Sequence, residues 1–424
     1  MIPKLGRRWL WLLLPVVLGL AVVLWRSTAK AEVGVWKQAS AAQRAKQAVT
    51  GASMPMRPDG NGGQFAGDPR GLPEAMPDPN DLPAQRALWE KRLARSTEVL
   101  ENYRRTTRYP FESRPASEHG DQMYPNQALI EEKRLYLPGD ERPGRARLRT
   151  SQERIYVAGA ETVLFTIGAI DDEGRALPVS ILTATVGDPP QGNAPAKLRP
   201  TAVVFGDSGT DGDAAAGDGT WTFRFAPSTQ GFANFTGQLR LETIISVDGQ
   251  AGFTFFDMYY TPAPPAIWAG PIREIVEAGS LHLYLKVDVK RAGHYVATGR
   301  FDDAGGKPFA LAVFNGALAT GPQEILFRAY GKLIKDSQAA LPLKLRDVDG
   351  FLLLEDASPD RALMPRLMGA VYTTRQYPLD VFSDAEWQSE ERERYLREYL
   401  NDVALAKARL EELNRRIGLG GKPG

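Results

Sequence analysis

Residues 235–260 read FTGQLRLETIISVDGQAGFTFFDMYY, two β-rich runs on either side of Asp248-Gly249. An Asp-Gly pair favours the left-handed backbone of a two-residue hairpin turn, so this stretch predicts two antiparallel neighbours. Five more runs of the same texture lead up to it from Arg154: RIYVAG, ETVLFTIGAI, VSILTATV, LRPTAVVF and TWTFRFA. Turn signals such as Asp171-Asp172-Glu173-Gly174 separate them. Short β-rich runs punctuated in this way predict a β-sandwich of about 100 residues over 153–262.

The same reading extends in both directions. Beyond a linker at 263–279, the runs LHLYLKVDV, HYVATGRFDD, FALAVFNG, QEILFRAYGKLI, LPLKLRDV and FLLLED predict a second, smaller β-sandwich over 280–357. An irregular segment, 358–383, then leads to an amphipathic C-terminal helix over 384–417 and a tail at 418–424. Ser383 reads as the cap of that helix, with Glu386 three residues on as its capping-box partner. Leu396, Tyr399, Val403, Ala406, Leu410, Leu413 and Ile417 repeat at spacings of three and four. Such a stripe fits packing on a sandwich, on another helix of the chain, or on a second copy through self-association. On the N-terminal side, Pro83 opens a helical segment over 83–108 with Trp89, Leu93, Leu100 and Tyr103 on one face. Between it and the first sandwich, 109–152 mixes prolines, aromatics and charges without a period and reads as irregular.

The chain begins with a basic n-region at 1–8, containing Lys4, Arg7 and Arg8, followed by seventeen uncharged residues at 9–25, WLWLLLPVVLGLAVVLW. A bilayer core needs about 20 apolar helical residues, with a lower limit near 17. Trp9 and Trp25 sit where interfacial aromatics belong, and the basic n-region favours an N-in orientation. The expectation is a transmembrane signal-anchor in a bacterial inner membrane, a single pass that places the bulk of the chain in the periplasm or outside the cell. Ala29-Lys30-Ala31 offers a cleavage site, and the alternative is therefore a cleaved signal and a secreted protein. Residues 26–82, rich in Ala, Gln, Gly, Pro and Asp, read as a flexible linker.

Composition narrows the chemistry. The 424 residues carry 52 basic and 51 acidic side chains, a balance that argues against nucleic acid as a partner. Cysteine is absent, which removes zinc fingers, iron–sulfur clusters and thiol catalysis. Only His119, His282 and His294 remain as imidazoles. The densest polar cluster lies between the run ending VVF and the run beginning TWTF, and measured against a twelve-residue calcium loop it places Asp207, Asp211, Asp213 and Asp218 at positions 1, 5, 7 and 12. Carboxylates this close repel one another unless solvated or neutralised, and a hard cation with oxygen ligands satisfies them. The alternative is a Gly/Asp-rich hairpin loop whose carboxylates accept backbone N–H groups. These four aspartates are the candidate metal ligands, with calcium the candidate ion.

The same loop holds Phe205-Gly206-Asp207-Ser208, which matches the nucleophile block of the GDSL/SGNH lipases and esterases. A serine nucleophile needs a histidine base oriented by a carboxylate. That family supplies the base as D-x-x-H, but here Ala116, Gly279 and Arg291 stand three residues before the histidines. No catalytic residue is therefore expected, and an envelope hydrolase or esterase using Ser208 stands as the alternative.

GDSGTDGDAAAGDGTW, at 206–221, resembles the D-G-x-x-G-D-x-x-x-G-D-G-x-Tyr/Trp loop of Ig-like β-sandwich domains in bacterial exported proteins. The stretch GHYVATGRFDDAGGKPFALAVFNGALATGPQEILFRAYGKLI is similar to the β-domain called "choice-of-anchor X". The resemblance implies a mainly β chain of two tandem Ig-like β-sandwich domains, with an N-terminal transmembrane helix and flanking amphipathic helices. It implies an envelope or surface protein whose β-sandwiches are display and contact modules. The expected role is a binding or scaffolding module in the bacterial cell envelope with an envelope protein or polymer as partner, and calcium at the Asp207–Asp218 loop is its candidate stabilising ion. An oligomeric secretion or adhesion component assembled through the C-terminal helix is a further alternative.

Overall fold

The computed structural model describes residues 77–135, 146–189, 198–355 and 357–420. In chain order these form helix α1 (Leu82–Thr106), then β1 (Ser113–Pro115), β2 (Leu129–Arg134), β3 (Arg147–Gln152), β4 (Tyr156–Ala158), β5 (Val163–Ile170), β6 (Ala176–Leu177), β7 (Val179–Gly187), β8 (Thr201–Ala202) and β9 (Trp221–Phe225). Next come β10 (Gly237–Val247), β11 (Gln250–Thr261), β12 (Ala266–Trp268), β13 (Arg273–Glu277), β14 (Ser280–Val289), β15 (Gly293–Asp302), β16 (Pro308–Leu318) and β17 (Gly321–Ala329). A short helix α2 (Gly331–Asp336), β18 (Lys344–Leu353), β19 (Arg361–Leu363), β20 (Leu367–Thr373) and helix α3 (Glu390–Gly420) complete the chain.

The hairpin read from Asp248-Gly249 is present. Both residues have positive φ, at +48° and +79°, and the ladder closes with Val247 opposite Gln250. Side chains along β10 alternate strictly between buried and half-buried, placing Leu239, Leu241, Thr243, Ile245 and Val247 on the core face. The sheet runs β4-β11-β10-β7-β8, with β4 parallel to β11. A second sheet runs β2-β3-β5-β6, with β9 also paired to β5. Phe165 and Phe225 from that sheet share a core with Leu241, Ile245 and Tyr260. Further along the chain, one sheet runs β1-β16-β15-β18-β19 with β20 on β18, and another joins β12, β13 and β17 to β14. Leu283, Leu285, Phe301, Phe327 and Ile334 lie at the centre of their core.

The expected fold class is corrected. The described residues form a mixed α/β arrangement with several sheets and no closed β-sandwich, rather than a mainly β chain of two tandem Ig-like sandwiches. The physical reason lies in strands drawn from stretches that read as irregular. β2 and β3, from 109–152, build the sheet of β5, while β1 pairs with β16 far along the chain, Ser113 opposite Ala312. β20, from 358–383, completes the sheet of β18. β1, β2 and β20 are edge strands paired on one side only, and they show no regular alternation of burial by which a strand could be read.

The two long helices pack on each other. Asp81 caps α1 by accepting from the Ala84 N–H at 3.0 Å, with a proline in the first turn. Tyr103 of α1 meets the rings of Tyr395 and Tyr399 of α3 edge-on, at 5.9 and 5.1 Å between centroids. Val403, Ala406 and Leu413 of α3 are buried, as are Leu88 and Leu100 of α1. Self-association through the C-terminal helix is thus corrected, since its apolar stripe is used within the chain, against α1. The start of α3 also differs from expectation. Ser389, not Ser383, accepts from the Arg392 N–H, whereas Ser383 closes a local turn onto Ala385 and Glu386 binds the buried Arg392 guanidinium at 2.6 Å.

The transmembrane signal-anchor expected at 9–25, with its n-region and most of the linker, lies outside the described residues. Among the described residues no helix is long and apolar enough to cross a membrane. The single-pass inner-membrane placement, the membrane as partner and the envelope-anchored role find no support among the described residues and are not carried further.

Because β10 owes its place to one buried face, Leu241→Ala is expected to lower the unfolding free energy by about 2–5 kcal/mol in urea titrations. Leu182→Ala, at a position 55% exposed, is expected to change it by less than about 0.5 kcal/mol. Equal losses at the two positions would contradict the assigned core face.

Candidate metal centre

The acidic loop is tied down at both ends. Phe205 is buried, its ring 5.5 Å from that of Phe223 in the core. Next to it, Gly206 and Thr222 exchange backbone hydrogen bonds at 2.9 and 2.7 Å, so the loop leaves and rejoins the sheet at one point. Between these anchors the chain folds back on itself through Gly209, Gly212, Gly217 and Gly219, all at positive φ. Gly212 is the most constrained. A Cβ there would lie 2.5 Å from the Arg224 guanidinium and 2.7 Å from Leu164, so both side chains would have to move, and its φ of +98° is one that other residues rarely adopt.

This folding gathers carboxylates. Asp207 accepts from the N–H groups of Gly217 and Asp218 at 2.7 and 3.2 Å through one oxygen and from Gly219 at 3.1 Å through the other. Asp213, buried at the base, accepts from the Gly209 N–H at 2.6 Å and the Thr222 hydroxyl at 3.1 Å. Asp218 accepts from the Thr220 N–H at 2.8 Å. One oxygen from each of Asp207, Asp213 and Asp218 lies within 4.8 Å of the others. Three of the four aspartates expected from the sequence therefore converge. Asp211 does not join them: it takes a positive φ of 54°, and its backbone carbonyl accepts from the Arg224 side chain at 3.2 Å.

The cluster can chelate a divalent ion. Its donors are all oxygens, the set that suits calcium, magnesium or manganese and disfavours zinc or copper. A carboxylate has about four lone-pair sites, so the hydrogen bonds within the loop leave acceptor capacity on each aspartate. Those hydrogen bonds also hold the Asp213 carboxyl below its ordinary pKa. The Gly209 N–H is the largest cause, opposed by partial removal from water and reinforced by the Thr222 hydroxyl and the backbone N–H groups of Ser208 and Ala214.

Ser208 stands at the rim of the loop, its hydroxyl hydrogen bonded to that of Thr210 at 2.8 Å. The histidines are engaged elsewhere. His282 is buried between Glu277 and Arg328, His294 bonds to Asn315, and His119 lies in a turn where burial and the nearby Arg114 lower its pKa. No hydrogen bond joins any of them to Ser208 among the described residues. Thr222 was missed by sequence reasoning, although its place between Trp221 and Phe223 in an alternating strand marks it as a residue facing the loop side.

No family model matches the chain, and no curated protein matches it. Among solved structures, it is similar to a DUF4785 family protein from Legionella pneumophila at 12% identity and a TM-score of 0.36, covering 54% of this chain and 57% of that one. It is also similar to native E. coli alpha-2-macroglobulin, at 15% identity and a TM-score of 0.26, covering 57% of this chain and 15% of that one. Salmonella alpha-2-macroglobulin reacted with methylamine gives 12% identity and a TM-score of 0.26, with 57% and 15% covered. The chain thus spans little more than half the length of the first and about a seventh of the others. Superpositions this loose carry no conclusion about fold, family or activity, and they lend no support to the "choice-of-anchor X" resemblance.

Folding lowers the Asp213 pKa, so its ionised form stabilises the fold above the ordinary aspartate value of about 3.9 and that contribution fades as pH falls through the lower folded value. Asp213→Asn is expected to lower the melting temperature at about pH 7 and to differ less from the parent chain at about pH 3. A difference that stays constant with pH would show that the charge is not what stabilises the loop.

Proposed function

We propose that the chain is a non-catalytic, calcium-binding protein in which one calcium ion, held by Asp207, Asp213 and Asp218, fixes the loop at 205–220 against the β9 sheet. The convergence of the three carboxylates within 4.8 Å carries this reading. Calcium takes six to eight oxygen ligands in flexible geometry, whereas magnesium demands near-ideal octahedral coordination and retains several waters. Carboxylates gathered on a loop and not set in a rigid octahedron suit the larger, geometrically tolerant ion. The arrangement within the loop favours the same division of labour: Asp213 ties the ion to the strand through Thr222, and Asp207 ties it to the returning arm at 217–219. Asp211 acts through its backbone only.

Thermal melting of the full chain in excess calcium and in excess chelator tests the proposal. At about one hundred times the dissociation constant, calcium is expected to raise the melting temperature by about 3–8 °C. Asp207→Asn and Asp213→Asn are expected to abolish the increase, and Asp211→Asn to preserve it. Identical melting with calcium and with chelator would leave the cluster as a hydrogen-bonded turn.

A further inference from the structure

A cleft opens where the connection from β12 to β13 faces β20. The two belong to different sheets, and the cleft between them has a volume of about 700 Å³. Its walls are Trp268, Ile272, Leu367, Val371 and Tyr372. This volume is within the range of about 300–1,000 Å³ found for small-molecule sites, which are mostly apolar with a few placed polar groups.

Both ends of the cleft are clamped. The Trp268 indole N–H donates to the Pro365 carbonyl at 2.8 Å, fixing the strand entering β20. At the other end Glu274, whose side chain is almost wholly buried, accepts from the Tyr372 hydroxyl at 2.9 Å and from the Arg375 backbone N–H at 3.1 Å. The walls are thus held apart by hydrogen bonds that a ligand need not break, which reduces the ordering cost of binding.

The polar groups in the cleft are cationic. Lys286 and Arg366 line it. The Arg366 guanidinium donates to two neutral acceptors, the Asn126 side-chain oxygen at 3.2 Å and the Tyr156 carbonyl at 3.1 Å. It has no carboxylate partner among the described residues, and neither does the exposed Lys286. Burial holds the Arg366 pKa below the usual arginine range, opposed by the charges of Asp349 and Glu161 and reinforced more weakly by Arg154 and Arg300. The guanidinium thus feels the charges of Asp349 and Glu161 without a direct hydrogen bond to either, and a carboxylate in contact with it would offset more of the cost of its removal from water.

We propose that this cleft binds an aliphatic carboxylate, with the chain between Trp268 and Val371 and the carboxylate against Arg366 and Lys286. The apolar walls account for the chain, and the two cations, neither of them hydrogen bonded to a carboxylate through its side chain, select its charge.

Isothermal titration of decanoate into the full-length protein, below the concentration at which it forms micelles, tests this. One saturable site is expected, with decanol bound about tenfold more weakly for lack of the charge-assisted hydrogen bonds. Lys286→Gln, at an exposed position, is expected to weaken decanoate binding about threefold. Val371→Trp fills the cleft without removing a polar contact, and is expected to abolish binding at an unchanged melting temperature. Absence of a saturable site, equal affinity for decanol, or unaltered binding in Lys286→Gln would each overturn the proposal. If Val371→Trp fails to fold, the comparison with decanol and the Lys286 variant still decides.

Discussion

Every second side chain of β10 is out of water, and the rest of the first half of the described chain is arranged around that fact. β10 has a full neighbour on each side, β7 and β11, so its backbone groups are paired and its buried face can be continuous. Phe165, Phe223 and Phe225 close over that face from the β5–β9 pair. The acidic loop inherits its position from the same core. Phe205 enters it just before the loop, and Thr222 precedes Phe223 just after. Asp213 is therefore held against a fixed strand, and the three carboxylates converge because the two ends of a long loop are pinned to one spot.

The second half is joined to the first by polar contacts as well as apolar ones. Thr261 at the end of β11 accepts from the Leu363 N–H at 3.1 Å, and Glu161 accepts from the Arg366 N–H at 3.0 Å. Arg361 lies over the rings of Tyr156 and Phe351. Buried arginines also hold the segment at 120–127 that precedes β2. Arg300 donates to the Gln122 carbonyl at 2.9 Å and Arg346 to that of Met123 at 2.8 Å, while Asp302 balances Arg346 at 2.6 Å. Guanidinium groups suit this task because several donors diverge from one plane and can serve carbonyls and carboxylates together. Arg366 differs from Arg300 and Arg346 in that its guanidinium donates only to neutral acceptors, and it borders the cleft between β12 and β20.

What could be read in the sequence follows from how local each feature is. Asp248-Gly249 specifies its own turn, and the alternation in β10 survives because both of its edges are paired. The Asp207, Asp213 and Asp218 cluster was legible since its spacing and its glycines lie within one loop. Asp211 was not separable from them, because the turn at Gly212 that directs it away depends on Leu164 and Arg224 in other strands. The sheet assignments failed for a related reason: β1, β2 and β20 show no regular alternation of burial, each is paired on one side only, and β1 takes its partner β16 from far along the chain. Ser383 and Ser389 both precede acidic residues, and only the site of the Glu386–Arg392 pair shows which of them starts the helix. The arginine network had no sequence signature, as a buried arginine and an exposed one look alike until their acceptors are known.

Calcium titrated calorimetrically into the chelator-treated full-length chain, beside Asp213→Asn, decides whether the loop is an ion site or only a hydrogen-bonded turn. The geometry of Asp207, Asp213 and Asp218 predicts one ion per chain for the parent and none for the variant. No saturable uptake by the parent, or the same uptake by Asp213→Asn, would contradict it.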